Sequence, residues 1–285
     1  MSNNVLPASR ADLHSHTTAS DGSLSPRELM QSAAQRGVLH LAITDHDTTA
    51  AHAEARAAAL ELNIGFIPGV EITCESAGTE VHLLGLGIDG TNASLQALCG
   101  EMQNRRVARF EEMYRNLVNT GLRFELPVMA RGLSPSRPLM ARALVKAGLA
   151  SDLEEAFARY LRKGRPGYVP HRREPVKTAI DAVHAAGGVA ILAHPGLYVN
   201  SDETISEAIA SGADGLECVH PDHDEQRTQR FTARARKLGL LISGGADYHG
   251  PGHARSHLFG KRFCPHDEFI RLQMAMAGRS NRHSL

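Results

Sequence analysis

Seven strand-like segments, each carrying a metal-ligating residue type at or near its end, constrain this chain more than any other feature. They read Asp12-Leu13-His14-Ser15-His16, Leu41-Ala42-Ile43-Thr44-Asp45-His46, Ile67-Pro68-Gly69-Val70-Glu71, Val81-His82-Leu83-Leu84-Gly85, Val189-Ala190-Ile191-Leu192-Ala193-His194-Pro195, Leu216-Glu217-Cys218-Val219-His220 and Ile242-Ser243-Gly244-Gly245-Ala246-Asp247-Tyr248-His249. A single ending of this kind arises by chance. Its recurrence predicts a barrel, the architecture that delivers the ends of many strands to one mouth. Isolated histidines such as His40, His52 and His184 lack this context and read as surface or satisfied core residues.

The linking segments fit an α/β chain. After the first strand, expected over Ala11 to His16, Ser25 is a plausible N-cap, Pro26 suits the first helical position and Glu28 completes a capping box, with Gly37 as the stop. A second strand (Leu39 to Thr44), an Ala-rich helix (Thr49 to Asn63), a third strand (Ile64 to Thr73) and a fourth (Val81 to Ile88) follow, an alternation that implies a parallel-type sheet. The rhythm then breaks. Ser94 to Thr120 reads as one long helix with Leu95, Leu98, Met102, Phe110, Met113 and Leu117 near helical spacing. Helices are expected at Pro138 to Ala147 and Asp152 to Leu161, and no strand before Val189. From there helices (Val176 to Ala186, Asp202 to Ser211, Asp224 to Leu238) alternate again with strands (Val189 to Ala193, Leu216 to Val219, Leu240 to Ser243), and a last helix, His266 to Ala277, precedes a frayed tail. The expected organisation is a barrel over 1–92 and 171–285, with 93–170 as a helical insertion over its mouth.

Net charge is zero across 285 residues, which argues against a protein that coats DNA. The charge is nevertheless uneven. Between Asn104 and Arg173 there are 15 Lys/Arg against 6 Asp/Glu, leaving 16 basic and 25 acidic residues elsewhere. A basic segment beside an acidic, metal-collecting core is what a phosphate-bearing ligand requires. Met1 to Arg10 has no apolar stretch of signal-peptide type, and no run approaches the roughly 18 apolar residues of a membrane helix. Cys74, Cys99, Cys218 and Cys264 are far apart, so free thiols in a reducing cytoplasm are expected.

His14 and His16 stand two apart on a strand and share a face, and Asp247 and His249 repeat that spacing. Glu71 ends its strand in isolation, as a carboxylate bridging two ions would. Imidazole and carboxylate without thiolate suit Mn, Fe or Zn. Such a cluster acidifies water and clamps the oxygens of an in-line phosphoryl displacement, so phosphate-ester hydrolysis is the chemistry to expect.

His14-x-His16, Asp21, Thr44-Asp45-His46, Glu71, His82, Ala193-His194-Pro195 and Ala246-Asp247-Tyr248-His249 together resemble the motifs of the PHP (polymerase and histidinol phosphatase) superfamily. The resemblance implies a distorted (β/α)7 barrel holding two to three divalent ions, manganese foremost with iron and zinc as alternatives. It implies one ion on His14, His16, Glu71 and Asp247, a second on Glu71, His82 and His194, and a third on Asp21, His46 and His249. The Ser136-Arg137-Pro138 to Val145 stretch and Lys163-Gly164-Arg165-Pro166-Gly167-Tyr168-Val169-Pro170 are similar to the insertion of bacterial members acting on nucleoside 3′,5′-bisphosphates. Members of that group release the 3′ phosphate or trim short 5′-phosphorylated RNA, and Leu139 stands where they often carry His. Hydrolysis of the 3′ phosphate is therefore the expected activity; exoribonuclease and histidinol phosphatase are the alternatives. The partners are then a small nucleotide or short RNA, with no membrane and no need for an oligomer.

Arg105 and Arg109 lie one helical turn apart beside Asn104. Ser136 and Arg137 precede a helix N-terminus, where guanidinium and free N–H groups both favour an anion. These five residues, with His223, are the expected substrate contacts. Glu71, at the centre of the ligand set, is also placed among the catalytic residues. His220 and His253 are the expected histidines for holding phosphate or protonating the leaving oxygen.

Overall fold

The structure is a computed structural model that describes residues 9–126 and 135–283. Its first helix, α1 (Pro26–Gln35), starts as the capping signals require. The Ser25 hydroxyl accepts from Glu28 N at 3.3 Å while Glu28 Oε2 accepts from Ser25 N at 2.8 Å. Leu29, Met30 and Ala33 bury one face of α1 against Leu41 and Ile43 of β2 (His40–Ile43) and Ala55, Ala58 and Ala59 of α2 (His52–Leu62).

The remaining strands are β1 (Ala11–Asp12), β3 (Gly65–Ser76), β4 (Thr79–Leu86), β5 (Glu174–Pro175), β6 (Val189–Leu192), β7 (Gly215–Val219) and β8 (Leu241–Gly244). They form a nearly closed, barrel-shaped sheet in the order β1-β2-β3-β4-β6-β7-β8, with β5 pairing β3. Closure involves the segment after β1. Leu13 N donates to Gly244 O at 3.1 Å and His16 N to Tyr248 O at 2.8 Å, while Thr44 N donates to Ser15 O at 2.9 Å. Regular pairing therefore stops at Asp12 instead of running to His16, because Leu13 to His16 are held irregularly between β2 and the residues following β8.

Two expectations are corrected. The sheet is not uniformly parallel: β4 runs antiparallel to both β3 and β6. Only Ala77 and Gly78 separate β3 from β4, both at positive φ (49° and 68°), and a two-residue link makes a hairpin while a parallel crossover needs a dozen residues or more. A strand also precedes Val189, since Glu174 and Pro175 pair with Cys74 and Glu75.

By packing, the described chain divides into two compact units, one comprising residues up to Cys99 and from Glu174 onward, the other Gly100–Arg173. The first contains the sheet, α6 (Val176–Ala185), α7 (Ser201–Ala210), α8 (Glu225–Lys237) and α9 (His266–His283), which continues beyond the expected end at Ala277. The second contains most of α3 (Ala93–Asn119), α4 (Arg137–Lys146) and α5 (Leu153–Ala156), whose last turn widens into a π-turn over Phe157–Leu161. Phe110, Met113, Leu117, Met140, Leu144 and Leu161 form its apolar centre. Leu139 is buried in that cluster and serves its packing. Among the described residues no helix is long and apolar enough to cross a membrane, and all four cysteines are free and buried.

Candidate metal centre

The C-terminal ends of the parallel strands converge on Glu71, a buried carboxylate whose two oxygens face different histidines. Oε1 lies 2.8 Å from His82 Nδ1 and 3.1 Å from His194 Nε2. Oε2 lies 3.3 Å from His14 Nε2, 3.2 Å from His16 Nε2 and 3.2 Å from His46 Nδ1. Asp247 repeats the arrangement: Oδ1 is 3.4 Å from His14 Nε2 and 3.3 Å from His16 Nε2, while Oδ2 faces His220 Nε2 at 3.3 Å and pairs with the Arg255 guanidinium. Asp21, 41% exposed, closes the outer side with His16 Nδ1 at 3.7 Å, His46 Nε2 at 3.7 Å and His249 Nε2 at 3.4 Å.

Backbone geometry is adapted to this convergence. His194 and Asp247 sit at φ 27° and 46°, in the left-handed region that L residues rarely occupy and that clusters at functional sites. Two glycines are required by close approach. A Cβ on Gly245 would stand 2.5 Å from His14 N, and one on Gly22 would stand 2.4 Å from His16 O. The loop carrying Asp21 is folded by Asp45, whose carboxylate accepts from Thr17 N, Thr17 Oγ1 and Ser20 Oγ, each at 2.7 Å.

The donor set fits divalent cations. His14 Nε2, both ring nitrogens of His16 and His46 Nδ1 are buried with no hydrogen-bond partner, although carboxylate oxygens stand within 3.7 Å of each. Nitrogens and carboxylate oxygens that stand this close without hydrogen bonding are spaced as ligands around cations would be. Buried orphan polar atoms are otherwise too costly to collect in one place. His14, His16 and Glu71 form one possible ion-holding group, His46, Glu71 and His82 a second, and His16, Asp21, His46 and His249 a third. His16 and His46 thus stand in two groups each, a sharing that strand spacing does not reveal.

The electrostatics point the same way. Burial opposes ionisation of Glu71, yet His46, His82 and His14 around it hold its carboxyl well below the usual range. Asp247 is likewise held low, burial being outweighed by His14, His16 and His220. Burial alone would depress the imidazoles, and it takes His46 down to about 3. At His14 the carboxylates of Glu217, Glu71 and Asp247 overcome burial and hold the ring well above its ordinary value, and at His16 Asp247 and Glu71 raise it to about 10. This concentration of negative charge is balanced by protons or by metal ions, and ion binding displaces those protons.

The other expected site residues divide. His220 is buried and its Nδ1 accepts from Asp222 N at 3.1 Å, so its proton is on Nε2, facing Asp247. It is therefore a donor to the centre and not a ligand. His253 is exposed, with its ring stacked on His249 at 4.9 Å between centroids. His223 is corrected: Nδ1 donates to Cys218 O at 2.9 Å and Nε2 accepts from Gly196 N at 3.0 Å, leaving no ring nitrogen for a substrate. In the second unit Asn104 is exposed, Arg105 pairs with Glu101, and Arg109 Nε donates to Val169 O at 2.9 Å. Ser136 caps α4 by accepting from Leu139 N at 3.3 Å, with Arg137 the first helical residue.

Three residues of the centre were given no role in the sequence reading, Glu217, Tyr198 and Arg255, and Asp45 entered it only as part of the Thr44-Asp45-His46 motif. The Tyr198 oxygen accepts from His82 N at 2.9 Å and lies 3.3 Å from His194 Nδ1.

A model of the PHP domain family matches residues 12–124. Over 249 residues the chain is 36% identical to the 3′,5′-nucleoside bisphosphate phosphatase of Chromobacterium violaceum, covering 85% of this chain and 87% of that one. The chain belongs to the PHP family. A second relative, the 5′-3′ exoribonuclease Rnm of Escherichia coli, is 38% identical over 251 residues, 84% of this chain and 85% of that one. The solved structure of an amidohydrolase from Chromobacterium violaceum, with bound sulfate and no metal, superposes with a TM-score of 0.80 at 33% identity, covering 93% of this chain and 96% of that one.

Proposed function

We propose that this PHP protein is a metal-dependent phosphatase that removes the 3′ phosphate of nucleoside 3′,5′-bisphosphates in the cytoplasm. The observation that carries the reading is the set of partnerless ring nitrogens gathered around Glu71 and Asp247, in a chain that resembles the Chromobacterium phosphatase along most of its length. One ion is assigned to His14, His16, Glu71 and Asp247, a second to Glu71, His82 and His194, and a third to Asp21, His46 and His249. Mn²⁺ is the ion we assign, from an oxygen and nitrogen donor set that also admits Fe and Zn. When bound, such ions neutralise the phosphoryl oxygens and acidify water beside them.

The protein's own groups supply the rest. Asp247 turns Oδ1 toward the histidines because Oδ2 is held by His220 and Arg255. Arg255 also pairs with Asp222, which fixes the loop after β8. His253, exposed beside His249, is the group we assign to protonate the departing ribose oxygen. Arg137 is assigned to the second phosphate, on the fit of a guanidinium to that group.

The test is phosphate release from adenosine 3′,5′-bisphosphate with Mn²⁺, run beside short 5′-phosphorylated RNA, histidinol phosphate and metal-stripped enzyme. One phosphate released with AMP remaining supports the proposal. Mononucleotides released preferentially from RNA would move the assignment to the exoribonuclease activity named for the Escherichia coli relative. Arg137→Ala should lower bisphosphate turnover about 10- to 100-fold, the loss of one charged hydrogen bond, and alter that of an aryl phosphate less than about twofold. Equal losses on both substrates would remove Arg137 from the specificity role.

A further inference from the structure

One charged side chain in the barrel belongs to none of the ion sets assigned above. Glu217 lies in the middle of β7 between Leu216 and Cys218 and is fully buried. Its two oxygens are committed to different partners: Oε1 accepts from His14 Nδ1 at 2.9 Å, and Oε2 accepts from the backbone N–H of His194 at 2.8 Å. A dry carboxylate is costly unless paired and hydrogen-bonded, and Glu217 is both. Burial works against its charge, but His14, His220 and His194 hold its pKa near about 2.

We propose that Glu217 is a positioning residue that aligns ligands of two different metal ions at once, a role that rests on the metal-centre reading above. At His14, donation from Nδ1 leaves the Nε2 lone pair facing Glu71 Oε2 at 3.3 Å and Asp247 Oδ1 at 3.4 Å. The opposite tautomer would aim an N–H at the centre and repel a cation, so Glu217 selects the ring form that binds. At His194, the backbone stands at φ 27° and ψ 57°, and Glu217 anchors the N–H of that strained residue. This keeps His194 Nε2 at 3.1 Å from Glu71 Oε1. Glu217 also lies within reach of His14 and His220 as a possible ion-holding group. With both oxygens already accepting from N–H donors, however, it acts through the ligands and not as one.

A carboxylate is the only side chain of this length that can serve both contacts. Glutamine offers one acceptor oxygen, and its amide would oppose an N–H at the other contact, donor against donor. Glu217→Gln should therefore damage one ligand and Glu217→Ala both.

Mn²⁺ titration followed by the electron paramagnetic resonance of the free ion tests this on the full chain, with His14→Ala and His194→Ala as calibration. Glu217→Ala is expected to weaken, by about 10- to 100-fold, the same bound ions that the two calibrating variants remove, and to retain those they retain. Glu217→Gln should weaken only part of them. Wild-type binding retained unchanged in Glu217→Gln and Glu217→Ala would overturn the positioning role alone. Failure of the wild type to bind Mn²⁺ would overturn the metal-centre reading and this role with it. A measurement free of any folding defect uses the wild type loaded with Zn²⁺, where a hydrogen-bonded proton on His14 Nδ1 should appear in the nitrogen-edited spectrum of the histidines. Its absence would overturn the proposal.

Discussion

The two ends of the parallel strands treat titratable side chains in opposite ways. At the start of β7, Asp214 Oδ2 accepts from His184 Nε2 and from Ala190 N, each at 2.8 Å, and its carboxylate also pairs with Arg279 of α9. There an imidazole, a guanidinium and a backbone amide answer one carboxylate. At the finishing ends of the same strands, His14, His16 and His46 leave buried nitrogens without partners around Glu71. Polar groups that satisfy one another contribute stability, whereas buried nitrogens without hydrogen-bond partners hold binding capacity for a further ligand. The contrast matches the general division of α/β barrels, with chemistry at the C-terminal face and stability at the N-terminal face.

Breaking the C-terminal end should give the largest effect. Asp247→Ala removes the carboxylate shared by His14, His16 and His220. Because bound ions contribute several kcal/mol to charge neutralisation, turnover is expected to fall at least about 10³-fold. Chelation of the wild type should do the same and Mn²⁺ should reverse it. A variant retaining more than a tenth of the wild-type rate would place the chemistry elsewhere. The opposite end should respond in stability. Phe269 of α9 is buried in a cluster with Ala11, Leu13, Leu86, Val189 and Leu272, and Phe269→Ala should cost about 3–5 kcal/mol in urea unfolding. The fraction still folded should turn over at close to the wild-type rate. Turnover lost from folded protein would dissolve the separation between the two ends.

What the sequence made legible follows the same division. His14, His16, Asp247 and His249 were legible because a two-residue spacing just past a strand is a local pattern, although Asp247 sits at φ 46° and not in an extended segment, and the start of α1 because a capping box lies within four residues. The direction of β4 was also encoded locally, in the two-residue link Ala77-Gly78, but strand periodicity alone does not report direction. Glu217 was hidden for a different reason: its partner His14 lies 203 residues away, and only the fold brings them together. A weaker signal existed, a glutamate inside the apolar run Leu216 to Val219, since a charge in a buried strand must have a partner. His223 shows the reverse error. Its place three residues after His220 resembles a second site histidine, yet backbone groups occupy both of its nitrogens. The unit Gly100–Arg173 overlaps the stretch of helical pattern and local charge excess in the sequence.

The smallest effect tests the stabilising end through its charge. Burial tends to raise the Asp214 carboxyl, but His184, the Ala190 N–H and Arg279 outweigh it and hold it below its ordinary value. A carboxyl depressed in the folded state binds fewer protons than in the unfolded chain, so its contribution is fully present above the unfolded pKa of about 3.9. It is lost as pH falls through the lower folded value. Asp214→Asn keeps an oxygen for the Ala190 N–H but removes the charge facing His184 and Arg279. The variant should be less stable by about 1 kcal/mol at pH 7, and the difference should shrink as the solution is acidified below about pH 4. Urea unfolding of both proteins across that interval measures it. A difference independent of pH would mean that Asp214 acts through shape alone, and a difference that grows in acid would reverse the sign assigned to the carboxylate. Mn²⁺-dependent turnover of the folded variant should stay near the wild-type value throughout, because the charge removed lies at the end of the strands remote from Glu71.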